Sequence, residues 1–231
     1  MLLDGAHLVA AALEARLPID TVVTDGRHAD LARRAEQAGA GVFEAGARVF
    51  DAVSPVRSPT GVVAIGRWSP AKVEPLLAAN ARIIGLVGVQ DPGNVGGAIR
   101  TSDALEATGV ISFDGSADPA GFKALRGAMG STFRLPVASA RLADVLPNAR
   151  RRGIRIAAAV AHDGRAPSAA ALASPVLILL GNEGAGLPDQ LVAEADVRVT
   201  VPMRSGVDSL NVAVTAAILL WEAVNHHRHP R

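Results

Sequence analysis

Five apolar runs, Ile83–Val89, Gly109–Phe113, Ile154–Val160, Val176–Leu180 and Val197–Val201, constrain this chain more than any other feature. Helical stretches at Gly97–Ala107, Ala120–Met129, Leu142–Arg152 and Ser209–Val224 separate most of them. A strand apolar along its whole length has no solvent face, so both sides of its sheet must be covered. Strands of that kind alternating with helices predict a parallel α/β sheet with helices on both faces. Ligands in such sheets bind outside the carboxyl ends of the strands. The glycine- or proline-marked loops after Val89, Leu180 and Val201 all fall at such ends.

Residues 1–67 read as a smaller α/β unit. Helices are predicted over Ala6–Arg16, Ala29–Ala38 and Ala47–Ala52, and strands over Thr21–Thr24, Val42–Glu44 and Gly61–Gly66. The stretch SPVRSPTG, Ser54 to Gly61, is a turn-rich entry to the last strand. The proline-bearing segment after Trp68 predicts a linker with a short helix. The expected division is a first domain at residues 1–70, a linker at 71–80 and a second domain at 81–231.

Composition excludes several classes. The 231 residues include no cysteine, which removes disulfides, thiolate metal ligands and cysteine nucleophiles. No apolar run approaches the roughly 18 residues that span a bilayer, and MLLDGAHLVAAAL, with its Asp4 and no basic lead, does not read as a signal peptide. A cytoplasmic protein without membrane or metal partners is the expectation. The histidines of the tail, His226, His227 and His229, read as part of a disordered end. A net charge of +1 gives no bulk argument for nucleic acid. Locally, Arg141, Arg150, Arg151, Arg152, Arg155 and Arg165 face only Asp144 and Asp163 within residues 139–165. That cluster either meets phosphates or decorates a solvated helix end, where the dipole favours arginine.

The first loop, QDPGNVGGAIRTSDA, has a phosphate-loop look but matches neither the G-x-G-x-x-G nor the G-x-x-x-x-G-K-[ST] pattern. It carries Asn94 and Arg100. Asn94 could be a helix N-cap and Arg100 a surface residue; alternatively, the forked guanidinium of Arg100 meets a phosphate or a developing oxyanion. The second loop, LILLGNEGAGLPDQL, sets the Glu183 carboxylate among Gly181, Gly184 and Gly186, where bare backbone permits close approach. The third, VPMRSGVDSLNVAVTAAILLWEAV, predicts Ser209 as an N-cap and Leu210, Val214, Ala217 and Ile218 as a helix face.

Taken together, GNVGGAIR, LLGNEGAGL and VPMRSGVDSLNVAVTAAILL resemble, in order and spacing, the three motifs of the SpoU (TrmH-type) RNA 2′-O-ribose methyltransferases of the SPOUT superfamily. LLDGAHLVAAAL and SPTGVVAI resemble the ribosomal-protein-like RNA-binding domain that precedes this domain in many relatives. The resemblance implies a parallel-sheet domain with a C-terminal trefoil knot, S-adenosyl-L-methionine as cofactor, and a homodimer with sites at its interface. It also implies an RNA substrate, rRNA more than tRNA. It assigns cofactor contacts to Leu180, Gly181, Val201, Pro202, Met203 and Leu210, and catalysis to Arg100 supported by Asn94, Glu183, Ser209 and Asn211. One departure is Ala128, where the family often carries serine, with Ser131 nearby. Two other readings stay open: an RNA-binding protein of the same fold without activity, and a dinucleotide-dependent oxidoreductase, which lacks its expected G-x-G-x-x-G here.

Overall fold

The computed structural model describes residues 1–54 and 59–228. Residues 55–58 of the expected Ser54–Gly61 turn and His229 of the tail lie outside them, while His226 and His227, expected in a disordered end, fall within the last helix.

The chain builds two sheets. The first has β1 (Leu2–Asp4), β2 (Ile19–Thr24), β3 (Gly41–Glu44) and β4 (Val62–Gly66), in the order β1-β4-β2-β3. Strand β4 runs antiparallel to both neighbours, and β2 pairs in parallel with β3. Registers Leu3↔Ala64 and Val22↔Ala64 align three apolar side chains on one face. Helices α1 (Ala6–Glu14) and α2 (Ala29–Gln37) cover that face with Leu8, Val9, Leu31 and Ala35. A third helix, α3 (Ala47–Val53), buries Phe50.

A short helix, α4 (Val73–Leu76), leads to the second sheet. This sheet has β5 (Arg82–Leu86), β6 (Gly109–Phe113), β7 (Val137–Ala140), β8 (Arg155–Ala159), β9 (Val176–Leu180) and β10 (Val197–Val199), in the order β10-β8-β9-β5-β6-β7 with every pair parallel. All residues of β6 and β9 are buried, as a sheet covered on both faces requires. Helices α5 (Pro92–Ala104), α6 (Phe122–Ala128) and α9 (Val212–Arg228) pack one face; α4, α7 (Leu142–Arg151) and α8 (Asp189–Ala193) pack the other.

The two sheets share material. Leu125 of α6, fully buried, belongs to the core of the first sheet, and Phe133 packs against it. His7 Nε2 meets the Met129 carbonyl at 3.1 Å. Helices α5 and α6 approach so closely at Gly96 that a Cβ there would lie 2.2 Å from the Ala124 carbonyl oxygen. Ala128 sits in the same contact, fully buried. The hydroxyl that a family serine would bring is absent, and Ser131 accepts from Arg134 Nη2 instead.

Several expectations are corrected. β5 stops at Leu86 rather than Val89, and Gly88 follows it at φ +64°, which turns the chain out of the strand. Strand β7 (VASA) and helix α8 were not predicted; both are too short for a periodic signal. Helix α5 begins at Pro92, before the expected Gly97, because Asp91 caps it by accepting from the Gly93 amide and Pro92 fits the first turn. Asn94 is therefore inside the helix and is not its cap. Helix α9 begins at Val212; its cap is Asn211, whose Oδ1 accepts from the amides of Ala213 and Val214, and not Ser209. Its buried face is Val212, Ala216, Leu219, Leu220 and Ala223, while Val214 is 47% exposed and Trp221 58% exposed. Of the residues expected to form one helix face, Val214 is exposed and Leu210, Ala217 and Ile218 are half-buried, so that face flanks the buried one on a helix that is apolar on both sides.

Candidate functional site

The three motif loops meet at the carboxyl edge of the second sheet. Asn211 Nδ2 donates to Asn94 Oδ1 at 2.7 Å, and Asn94 Nδ2 donates to Glu183 Oε1 at 2.9 Å. Backbone amides of Gln90 and Asp91 reach the two Glu183 oxygens at 3.4 and 3.3 Å. One carboxylate and two carboxamides therefore tie together the loop after β5, the loop after β9 and the start of α9. Each carboxamide uses its oxygen on one side and its nitrogen on the other, so the polarity of the chain is set by the helix cap at Asn211 and the anion at Glu183.

Burial pushes the Glu183 carboxyl up, but the hydrogen bonds from Asn94, from its own amide and from those of Asp91 and Gln90 outweigh it, leaving Glu183 below the ordinary carboxylate value. The carboxylate is ionised at neutral pH with its lone pairs directed at donors. A lowered value means that its contribution to stability is present above the unfolded value of about 4.3 and is lost as pH falls through the lower folded value. The expected pH–kcat profile has no acid limb above about pH 5 owed to Glu183. An acid limb between pH 6 and 7 that disappears in Glu183→Gln would assign it a proton-transfer role and contradict this placement.

Beside the network lies a cavity of about 410 Å³, within the range of roughly 300–1,000 Å³ typical of small-ligand pockets. Leu180, Gly181, Val201, Met203, Ser209 and Leu210 line it, as do Glu183, Gly184 and Gly186. Pro202 is exposed and, like Asn94, Arg100 and Asn211, is not among the lining residues. Sequence reasoning missed Ala159, Val160 and Ala161 at the end of β8, and Thr215 in α9. The carboxyl-end rule pointed to β8 too, whose loop carries Gly164 and Pro167, yet that loop was not singled out.

Gly181 has a different reason from the one its sequence context suggests. A Cβ there would stand 2.3 Å from the Gly186 carbonyl carbon and 2.4 Å from the Leu187 nitrogen. The glycine lets the loop fold back on itself, which shapes the cavity wall.

Arg100 is exposed, and its guanidinium has no hydrogen bond or ion pair with any described residue. At about 100° per residue it stands about 120° around α5 from Asn94, on the outer face shared by Gly93, Gly97 and Ala104. The basic cluster of residues 139–165, by contrast, is largely spoken for. Arg141 pairs with Asp144 at 2.8 Å and Arg150 with Glu194 at 3.5 Å. Arg151 bonds Asn148, and Arg152 donates to the carbonyls of Glu74 and Leu77. These four are helix-end residues, leaving Arg155 and Arg165 outside that grouping. Among the described residues no cluster of acidic or histidine side chains could hold a metal, and no helix is long and apolar enough to cross a membrane.

A parallel α/β sheet with a glycine-shaped cavity and a three-loop polar network at its carboxyl edge defines a small-molecule-binding domain of the switch-point kind. The SpoU rRNA Methylase family matches residues 81–221, more than half of the chain, and the chain belongs to that family. It is similar to the 23S rRNA (guanosine(2553)-2'-O)-methyltransferase RlmP of Bacillus subtilis, with 31% identity over 95% of this chain and 86% of the relative. Among solved structures, the AdoMet-bound rRNA methyltransferase of Sinorhizobium meliloti superposes with a TM-score of 0.87 at 31% identity, covering 97% of this chain and 87% of that one. The SpoU methyltransferase AviRb of Streptomyces viridochromogenes, in complex with the cofactor AdoMet, gives a TM-score of 0.87 at 26% identity over 100% of this chain and 91% of its own.

Proposed function

We propose that the protein transfers a methyl group from S-adenosyl-L-methionine to a ribose 2′-hydroxyl of ribosomal RNA. The observation that carries this reading is the Asn211–Asn94–Glu183 network, set against a cavity of cofactor size. The cavity residues suit the cofactor: Leu180, Val201, Met203 and Leu210 give apolar walls, and the Gly181–Gly186 turn gives bare backbone for a flat purine. The bound cofactor supplies an electrophilic sulfonium methyl.

With the cofactor bound, the 2′-oxygen would take that methyl in line, a C–O bond forming as the C–S bond breaks with its electron pair going to sulfur, and the hydroxyl proton would pass to water. A ribose hydroxyl is a poor nucleophile at neutral pH, so the site must position it and stabilise the charge that develops on oxygen. Arg100 is the residue for that task. A guanidinium holds its proton too tightly to serve as a base, and its fork instead binds the neighbouring phosphate and the developing alkoxide. Asn94, Glu183 and Asn211 hold the loops in register, and Ser209 lies at the cavity edge, within reach of substrate or cofactor hydroxyls.

Our reading includes a homodimer. Val214 and Trp221 form an exposed apolar stripe on α9 beside the small-residue face of α5, a surface that favours burial against a second copy. Arg100 would then point into the seam between protomers, next to the sites. Trp221→Glu should leave the fold intact but give a monomer by light scattering and abolish methyl transfer; a dimeric, active variant would place the interface elsewhere. The trefoil knot, a cytoplasmic location, and the roles of residues 1–70 as RNA-presenting domain, 71–80 as linker and 81–231 as catalytic domain complete the proposal.

The test is transfer of labelled methyl from S-adenosyl-L-methionine to unmodified 23S rRNA, to assembled ribosomal particles and to tRNA, run side by side. Label in ribosomal RNA alone is the expected result. Label in tRNA alone overturns the substrate class. Cofactor binding without label in any pool overturns the activity and leaves an RNA-binding protein.

A further inference from the structure

The residue between Gly181 and Glu183 is absent from the assignments above, yet it makes more loop hydrogen bonds than either neighbour. Asn182 Oδ1 accepts from the amides of Gly184 and Ala185, each at 2.9 Å. Its Nδ2 donates to the Gly88 carbonyl at 2.9 Å, across to the loop that follows β5. Its backbone exchanges both hydrogen bonds with Gly186 at 3.0 Å, closing the turn that only a glycine at 181 allows. The orientation of the carboxamide is dictated by its surroundings: two N–H donors face one end and a carbonyl acceptor faces the other, so a flipped group would lose all three bonds.

We propose that Asn182 is the positioning residue of this site, with two separable jobs. Through Oδ1 it holds the cofactor turn in shape. Through Nδ2 it locks that turn to the loop that leads into the helix bearing Asn94, and so fixes Glu183 in its place in the network. Besides the bonds that Glu183 itself accepts from Gln90, Asp91 and Asn94, the second loop reaches the first through two parallel ties, the Val87 amide to the Leu180 carbonyl at 2.8 Å and this side-chain bond one step further out. The inner tie belongs to the sheet. The outer one belongs to Asn182 alone, and it is the tie adjacent to Glu183. The inference rests on the methyltransferase reading for its kinetic arm and on the cavity alone for its binding arm.

Two variants separate the jobs. Asn182→Asp keeps an acceptor for the Gly184 and Ala185 amides but sets a carboxylate oxygen against the Gly88 carbonyl, so only the lock between loops is lost. Asn182→Ala loses both jobs. For Asn182→Asp the expected result is an S-adenosyl-L-methionine Kd within about threefold of wild type and a kcat at least about tenfold lower. For Asn182→Ala the Kd rises at least about tenfold as well. Rates are taken per cofactor-binding site, so that a variant which only folds less well shows lower occupancy with unchanged Kd and kcat. That outcome, a wild-type kcat in Asn182→Asp, or joint loss of binding and turnover in Asn182→Asp each overturns the proposal. Should wild-type protein methylate no RNA, the functional reading fails, while the Kd arm still decides whether Asn182 shapes the cavity.

Discussion

Arg100→Ala is expected to lower kcat for methyl transfer by about a thousandfold or more, with the cofactor Kd unchanged within about threefold. Arg100 does not line the cavity and holds no partner among the described residues, so its removal leaves the cofactor walls and the Asn211–Asn94–Glu183 network as they are. An exposed guanidinium without an internal partner contributes little to the fold, and its loss costs a donor only where the substrate presents charge. Arg100→Lys keeps the charge but not the planar fork, and should recover only a small part of the rate. A variant retaining activity within about tenfold, roughly 1.4 kcal/mol of barrier, would remove Arg100 from the chemistry.

Gly181→Val should act on the opposite parameter. Its Cβ would meet the backbone of Gly186 and Leu187 at 2.3 and 2.4 Å, atoms that cannot yield without opening the turn. The Asn182–Gly186 bridge would break, and with it the wall formed by Gly184, Ala185 and Gly186. The expected result is at least about a hundredfold rise in cofactor Kd by titration calorimetry, with a modest fall in Tm because the turn lies at the sheet edge rather than in the core. An unchanged Kd would mean that the turn is not part of the cofactor site. Opposite signatures, kcat for Arg100 and Kd for Gly181, distinguish two damaged functions from one damaged fold.

Much of the architecture was legible in the sequence because buried parallel strands advertise themselves: the β6 and β9 runs GVISF and VLILL admit few other readings. Strand β7, with two alanines and a serine in four residues, has no such signature, and its place at the sheet edge comes from tertiary pairing with β6. Helix starts were misread for a common physical reason. Asp91, Asn94, Ser209 and Asn211 are all competent caps, and which of them is used depends on where the preceding strand releases the chain. The site was legible as three loops, not as a network. Asn94 and Glu183 lie 89 positions apart and Asn94 and Asn211 lie 117 apart, so no local spacing announces their contact. Gly181 stood out in the sequence as bare backbone, but the crowding that demands it is within its own loop and visible only in three dimensions. The apolar face expected on α9 is not the face that is buried, because periodicity locates a face without saying what covers it.

The position of the methyl group on the RNA tests the account most directly. Ribosomal RNA labelled by the wild-type protein is hydrolysed in alkali and the products are separated. A methyl on the ribose 2′-oxygen removes the internal nucleophile, so the label should appear in one alkali-resistant dinucleotide, and Arg100→Ala should abolish it. Label recovered in mononucleotides would place the methyl on a base and contradict the assignment of the site to ribose chemistry.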